Sequence, residues 1–241
     1  MFCFNKSMGF QILRRQPIEF FENKGVKYFK PFVALDKAKK PLKVYNLEDC
    51  QYSPPSIIGE NHQGKFSSYE VYLDSNTRTM TGDSLAADPR NQGIGEVLNL
   101  AALMEFHKNK FNRFNLFSLK EAIQFYTRFG FKIINEDKNF ILNNLKNVEK
   151  SKDAIFNELR KDVAFFKPRI EGKILSDDKY LTQRANDVFS NYLRELSRKH
   201  IKYNSSKIDH GTNMEFSDWE FEINRDYLNS LFDKHEINYK I

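Results

Sequence analysis

Apolar aromatic and β-branched residues cluster in short stretches between polar turn formers over the first 87 residues, which predicts an extended, strand-rich segment. The turn formers Asp74, Ser75 and Asn76 separate the last two of these strands and predict a hairpin there. A stretch containing two prolines and two glycines, residues 51–64, is predicted to be a loop. The predicted strands are residues 27–35, 42–46, 68–73 and 77–87.

The pattern changes to helical spacing from Gly95 onward. Apolar residues recur at three- and four-residue intervals over 95–110, which predicts an amphipathic helix, and a short strand follows at 113–117. Ser118 with Glu121 resembles a capping box, so a second helix is predicted from there to Arg128, ended by Gly130. A hairpin is predicted to follow, with strands at 131–134 and 140–145.

Two apolar stripes at helical spacing follow Leu145, one over 155–166 and one over 188–196. Residues 202–213 are polar and loop-like, Trp219, Phe221 and Ile223 alternate like a strand, and 227–232 indicates a last short helix. We therefore predict an α/β fold, with a mixed sheet in residues 1–145 and a mostly helical extension in residues 146–241.

Composition narrows the class of protein. The 241 residues are 40% hydrophobic, and no run approaches the 18 apolar residues of a membrane span, so no membrane association is expected. The first ten residues lack the apolar run of a signal peptide. Two cysteines, Cys3 and Cys50, suit a reducing compartment, and a cytoplasmic location is predicted. The five histidines lack metal-ligand spacing, so no metal is expected.

The net charge of +6 is unevenly distributed. Up to Leu145 there are 20 basic and 15 acidic residues, whereas the remainder has 18 and 17. The excess favours an anionic ligand in the first part. The second part lacks the clearly positive charge of a nucleic-acid-binding face, so no nucleic acid is indicated.

The segment from Asp88 to Glu96 follows a predicted strand and opens a predicted helix. Its glycines permit close approach of a ligand, and the N–H groups and dipole of a helix N-terminus attract an anion such as a diphosphate. A dinucleotide fingerprint would need a third glycine where Leu98 stands. A P-loop would need Gly-Lys-Ser/Thr where the chain has Gly95 followed by Glu96 and Val97.

Two motifs carry a family resemblance. The first is Arg90-x-x-Gly93-x-Gly95; the second, one strand and one helix later, is Ala122-x-x-x-Tyr126-x-x-x-Gly130-Phe131. With both motifs in this order, the chain resembles the GNAT superfamily of acyl-CoA-dependent N-acetyltransferases over about residues 68–145. It departs from the family pattern at Leu119, where Asn is frequent, and at Ala87, where Pro is usual. The helices that usually follow the first strand are also hard to find.

The resemblance implies a place for each part of acetyl-CoA, the expected co-substrate. Arg90 would hold the loop or meet a phosphate. The end of the preceding strand would bind pantetheine and the thioester carbonyl through backbone groups of Leu85, Ala86 and Ala87. The pyrophosphate would lie on the backbone N–H groups of Asn91, Gln92, Gly93, Ile94 and Gly95.

The resemblance also implies that Tyr126 is a general acid, which protonates the leaving CoA thiolate. A general base is needed because an amine arrives protonated at neutral pH. Asp83 on the strand before the loop and Glu70 on its partner are the candidates.

The implied function is N-acetyl transfer to a primary amine of a small molecule, a peptide or a macromolecule. The alternative is a non-catalytic acyl-CoA-binding or protein-interaction module on the same fold. The sequence leaves the acceptor open and does not exclude a homodimer.

Overall fold

The computed structural model describes residues 16–48, 54–172, 178–208 and 211–241, which form a mixed α+β fold. The chain divides into two compact units. The first contains the described residues up to Phe114 together with Phe221–Ile241, and the second contains Asn115–Glu220. A domain division after Leu145 stays a prediction.

Seven strands build the first unit. A hairpin of β1 and β2 precedes a meander in which β3 to β7 pair with their neighbours in chain order, all antiparallel. Their bounds are β1 Phe20–Asn23, β2 Val26–Phe29, β3 Phe32–Leu35, β4 Pro41–Leu47, β5 Ser56–Asn61, β6 Phe66–Asp74 and β7 Thr79–Ala86.

Helix α1 (Ile94–Lys108) covers one face of this meander, which we call the inner face. A Cβ added to Gly59 on β5 would lie 3.3 Å from Leu98 Cδ2 and 3.5 Å from Ile94 Cγ2, so the helix packs directly on the strand backbone. Leu42 and Val44 of β4 are fully buried on the same face. A side chain at this position would press on α1, so glycine suits the close approach of helix and strand here.

The C-terminal helix α6 (Glu220–Lys234) belongs to the first unit, apart from its first residue. It packs against α1 in the opposite direction. The rings of Phe106 and Phe221 lie 5.7 Å apart near one end, whereas Lys234 and His235 contact Glu96 at the other.

The second unit is mainly helical and carries three strands in the order β8-β10-β9. Rings of Phe156, Tyr192, Phe189 and Tyr203 pack edge to face in its core, with centroids 4.7 to 5.7 Å apart for the closest pairs. The bounds are β8 Arg113–Ser118, whose first two residues lie in the first unit, α2 Ile123–Thr127, β9 Lys132–Ile134, α3 Lys138–Glu149, α4 Asn157–Glu171, α5 Lys179–Arg198 and β10 Thr212–Ser217.

Several predicted elements are confirmed, among them β4, β6, β7, α1, β8 and the two long helices after Leu145. The predicted first strand, 27–35, is interrupted at Lys30 and Pro31 and forms β2 and β3. Gly130 does end α2: its φ is 114°, and its N–H donates to the Thr127 carbonyl at 3.1 Å.

Four predictions were wrong, and three of them concern the type of an element. The loop over 51–64 contains β5, because Gly59 serves helix packing rather than a turn; residues 51–53 lie outside the described part. The strand at 140–145 is helix α3, because Asp137 caps it by accepting from Asn139 N at 2.8 Å. The predicted strand from Trp219 to Ile223 is instead a turn residue followed by the first residues of α6, and Trp219 is 65% exposed.

The predicted capping box at Ser118 was also wrong. Ser118 ends β8, and its hydroxyl donates to the Leu119 carbonyl at 3.0 Å. Helix α2 therefore begins only at Ile123, and its N-cap residue is Ala122, which offers no side-chain acceptor.

Candidate anion-binding loop and site residues

The loop between β7 and α1 presents an uncapped helix N-terminus. Asn91 and Gly93 adopt left-handed backbone conformations, with φ of 64° and 80°. Gly93 is the N-cap of α1, and no side chain caps the helix. Within the described part of the chain, no acceptor takes the backbone N–H groups of Gly93, Ile94 and Gly95. Orphan donors of this kind, together with the helix dipole, are what anions bind at helix N-termini in other proteins.

Two contacts hold the loop against the sheet. The backbone N–H of Lys37, in the turn between β3 and β4, donates to the Gln92 carbonyl at 2.7 Å. At the other end, the Asp88 N–H donates to Ser67 Oγ of β6 at 2.9 Å. A Cβ on Gly93 would lie 3.3 Å from Lys37 N, so the turn and the loop are in close contact. The loop conformation is therefore fixed by the sheet rather than by a cap.

Cationic side chains surround this loop. Arg90 is exposed, and no carboxylate of the described residues lies within ion-pair distance of it. Lys37, Lys39 and Lys40 are exposed in the β3–β4 turn. Lys39 Nζ donates to the Lys234 carbonyl at the C-terminus of α6, at 2.6 Å. The local charge thus suits the anionic ligand that the sequence predicts.

Glu96 is a buried acid in the first turn of α1. Its Oε1 accepts from Lys234 Nζ and contacts His235 Nε2, each at 2.6 Å. The charge of Glu96 is thus balanced by side chains at the end of α6. The carboxylate does not accept from the N–H groups of the Gly93 turn, as a capping side chain would.

The end of β7 places Leu85 and Ala86 on opposite faces. Leu85 pairs with Tyr69, which lies on the inner face, and Leu85 is half-buried. Ala86 pairs with Ser68 and is exposed on the other, outer face. Ala87 is half-buried and follows the strand.

The two candidate bases share the outer face. Glu70 lies between the inward-facing Tyr69 and Val71 and is half-buried. Asp83 follows the inward-facing Gly82 and is exposed. The register of β6 and β7 shifts beside Glu70. The structure thus places both carboxylates on the side of the sheet opposite α1.

Tyr126 lies in α2, in the second unit, and is 7% exposed. Its ring packs edge to face on Phe125 at 5.0 Å and on Phe131 at 5.6 Å. The Phe131 N–H donates to the Tyr126 carbonyl at 3.4 Å. The Tyr-x-x-x-Gly-Phe motif is thus a local unit, in which Gly130 turns the chain so that Phe131 covers the tyrosine ring.

Two titratable residues near α1 carried no sequence signal. His235 is fully buried and lies 139 positions from its partner Glu96. Glu105 is fully buried, and the desolvation raises its pKa to about 8, against hydrogen bonds from Asn46 and Phe29 that lower it. Only the occurrence of a charged residue in an apolar helix pattern could have pointed to Glu105.

Metal and membrane features are absent from the described ranges. No three His, Cys, Asp or Glu side chains there are grouped so as to hold a metal ion. No helix in the same ranges combines the length and apolar character needed to cross a bilayer.

Comparison with known proteins does not identify a family for this chain. No protein-family model and no curated protein matches the chain. Among solved structures, it is similar to Rv2747 from Mycobacterium tuberculosis, solved in complex with CoA and NLQ. The sequence identity is 14%, the TM-score is 0.30, and the match covers 75% of this chain and 77% of that one. A TM-score of 0.30 is too low to transfer a fold or a ligand.

Proposed function

We propose that the protein is an acetyl-CoA-dependent N-acetyltransferase of the GNAT type. The observation that carries the proposal is the loop from Arg90 to Gly95. It combines the glycine spacing of that family with left-handed Asn91 and Gly93 and an uncapped helix start. Exposed lysines of the neighbouring turn supply complementary charge for phosphates.

In this proposal, each step of acyl transfer is assigned to particular groups of the chain. N–H groups of the loop bind the pyrophosphate, and backbone groups at Leu85, Ala86 and Ala87 orient the thioester. A neutral amine attacks the thioester carbonyl carbon, a C–N bond forms, and the C–S bond breaks. Tyr126 gives its phenolic proton to the thiolate, and the proton that the nitrogen loses as it becomes an amide passes through solvent to restore the phenol. A backbone donor on the developing oxyanion would lower the barrier by about 3 kcal/mol.

Glu70 and Asp83 are the proposed sources of general-base catalysis. Their position on the outer face, which carries Ala86 as well, supports this role. A change of the responsible residue to its amide (Glu70→Gln or Asp83→Asn) should remove the acidic limb of the kcat/KM profile against pH. The other amide should leave the profile unchanged.

Binding is tested first, by isothermal titration of the full chain with acetyl-CoA. Asn91→Asp adds one negative charge to the exposed loop with little change of shape, and we expect about tenfold weaker binding. Asn91→Gly is the matched control, since glycine accepts the same φ and adds no charge. Gly93→Glu is a poorer choice, because its left-handed φ and close neighbours would add strain. A folded wild type that does not bind acetyl-CoA contradicts the proposal.

Catalysis is tested by thiol release from acetyl-CoA with a panel of amines. Tyr126→Phe should lower kcat by about 10² or more while acetyl-CoA affinity is kept. Tyr203→Phe is the matched control, a buried tyrosine of the same unit whose Oη accepts from Asn147 at 2.8 Å. Tight binding without turnover of any amine would favour the alternative, a non-catalytic acyl-CoA-binding module.

A further inference from the structure

Two aromatic side chains are exposed along strand β6, on the outer face of the meander. Phe66 begins this strand and is 59% exposed, and Tyr72 lies near its end and is 44% exposed. Ser68 and Glu70 lie between them and point to the same face, because side chains alternate along a strand. We call these four residues the β6 row. Exposed apolar surface bordered by polar side chains is typical of a binding surface.

The neighbouring strands widen the β6 row into a shallow surface. On β5, Glu60 pairs with Phe66 and Ile58 pairs with Ser68. On β7, Ala86 pairs with Ser68. Serine and alanine are short, so the surface is lower in its middle than at the two aromatic residues. Its shape fits an extended chain that lies along β6.

The charge of the outer face is opposite in sign to the +6 of the whole chain. Arg113 faces outward, since the next residue, Phe114, stacks on the inward ring of Tyr69 with 6.3 Å between centroids. Lys65, just before β6, is paired with Asp88 at 3.7 Å. Within strands β4 to β7 and the first residue of β8, four anionic and two cationic side chains face outward, which gives −2. They are Glu60, Glu70, Asp74 and Asp83, and Lys43 and Arg113. The surface therefore favours a cationic partner.

One cation of the chain already lies against an aromatic ring of this face. Lys43 Nζ is 5.2 Å from the centre of the Tyr45 ring, and Lys43 is opposite Glu60 in the register of β4 and β5. An ammonium group is attracted both by the face of such a ring and by a neighbouring carboxylate. Phe66, which pairs with Glu60 from the other side, offers the same combination to a cation of a partner.

We propose that the outer face along the β6 row binds an extended peptide with basic side chains, and that this peptide presents a lysine as the acetyl acceptor. Size favours a peptide over a small amine, because the six positions from Phe66 to Tyr72 span roughly 20 Å. Glu60 lies level with Phe66, four positions from Glu70. Two basic side chains four positions apart in an extended peptide have the same spacing and would meet both carboxylates.

The acceptor role rests on the proposed function and deepens it, whereas the binding of the peptide does not depend on it. Ala86, at the strand end assigned to the thioester, pairs with Ser68 in the middle of the surface. A lysine bound there reacts as the neutral amine, so that its Nζ forms the C–N bond as the C–S bond of acetyl-CoA breaks. From the lysine ammonium and acetyl-CoA, the products are an acetylated lysine, the CoA thiol and one proton.

Binding is measured by fluorescence anisotropy of a labelled ten-residue peptide in which lysine and serine alternate, added to the full chain without CoA. A peptide of the same length, in which glutamate and serine alternate, is the matched probe. We expect the lysine peptide to bind at least about tenfold more tightly than the glutamate peptide.

Substitutions on the surface identify it as the binding site. Glu60→Lys should weaken binding of the lysine peptide by about tenfold, because a repulsion replaces an attraction. Glu22→Lys is the matched control, since it changes the net charge equally in the separate two-stranded sheet and should keep the affinity. Tyr72→Ser removes an exposed ring and should weaken binding several-fold. It decides if Glu60→Lys does not fold.

Several results would overturn the inference. They are no binding of the lysine peptide, equal binding of the two peptides, an equal effect of Glu60→Lys and Glu22→Lys, and unchanged binding by Tyr72→Ser. A concentration-dependent dimer that Tyr72→Ser abolishes would also overturn it, because a second copy of the chain would then be the occupant of this face.

The acceptor role is read by mass spectrometry of the lysine peptide after incubation with the chain and acetyl-CoA, and we expect acetylated peptide. Turnover of small amines without acetylation of the peptide would overturn this role while leaving the proposed function established. Binding of the peptide by a folded chain that does not bind acetyl-CoA would instead refute the proposed function and leave the peptide surface.

Discussion

Glu105 offers a sharp test of how burial controls stability in the first unit. Its Oε1 accepts from the Phe29 N–H at 3.2 Å and from Asn46 Nδ2 at 2.7 Å. Its Oε2 is buried and has no hydrogen-bond partner among the described residues. Two donors on one oxygen do not compensate for full burial, so desolvation raises the pKa of Glu105 to about 8. The carboxyl is therefore protonated in the folded protein at neutral pH.

The sign of the effect follows from proton uptake. The ordinary pKa is 4.5 and the folded value is about 8, so between them the folded state binds more protons than the unfolded state. The stability that Glu105 contributes is fully present below pH 4.5 and is lost as the pH rises toward 8. A shift of about 3.5 units at about 1.4 kcal/mol per unit amounts to about 5 kcal/mol over the whole window, most of it lost by pH 7.

Glu105→Gln removes the titration while its amide oxygen can still accept from Phe29 and Asn46. The free energy of unfolding, measured by urea titration between pH 5 and pH 8, should fall with pH in the wild type relative to the variant. The difference should change by about 4 kcal/mol across this range. The control is Glu22→Gln, at an exposed position on β1, which should run parallel to the wild type. Parallel curves for Glu105→Gln as well would refute the reasoning.

Two further changes test packing in the first unit. Gly82→Ala should destabilise the protein by about 1–3 kcal/mol in thermal unfolding, because its Cβ would lie 2.9 Å from Cζ of the fully buried Tyr69. Gly172→Ala is the control: its φ is negative and no atom lies closer than 3.6 Å to the added Cβ, so it should be neutral or slightly stabilising in the same assay. An equal effect of both would contradict this account. Tyr239→Phe removes the hydrogen bond to His107 and should cost about 1 kcal/mol in urea unfolding; an unchanged midpoint would show that the bond contributes nothing.

Sequence patterns predicted the strands and helices correctly where a residue's surroundings depend mainly on residues close to it in the chain. Burial alternates along β6 and β7, as in a sheet with one covered face. The helix α1 was predicted correctly, but not its amphipathic character, because it is buried on every side from Glu96 to Phe106. The same reasoning failed at Gly59, because this glycine makes room for Leu98, 39 positions away, and does not form a turn. It failed at Trp219 because three aromatic or aliphatic residues alternated by coincidence, and two of them, Trp219 and Ile223, are exposed.

The candidate loop was predictable because its chemistry is local. Glycine, left-handed backbone and helix start all fall between Arg90 and Gly95. The support beneath it was not predictable, since His235 reaches Glu96 only after the chain has passed through the whole second unit. No periodicity or motif links positions so far apart.

The return of α6 to the first unit has a consequence for biosynthesis. During translation, the side of α1 that bears Glu96 and Phe106 emerges long before its covering helix, because about a hundred residues of the second unit come between. At roughly 5–20 residues per second, that face stays uncovered for about 5–20 s. The nascent protein thus presents an acidic and apolar helix surface, open to chaperones, until His235 has been synthesised.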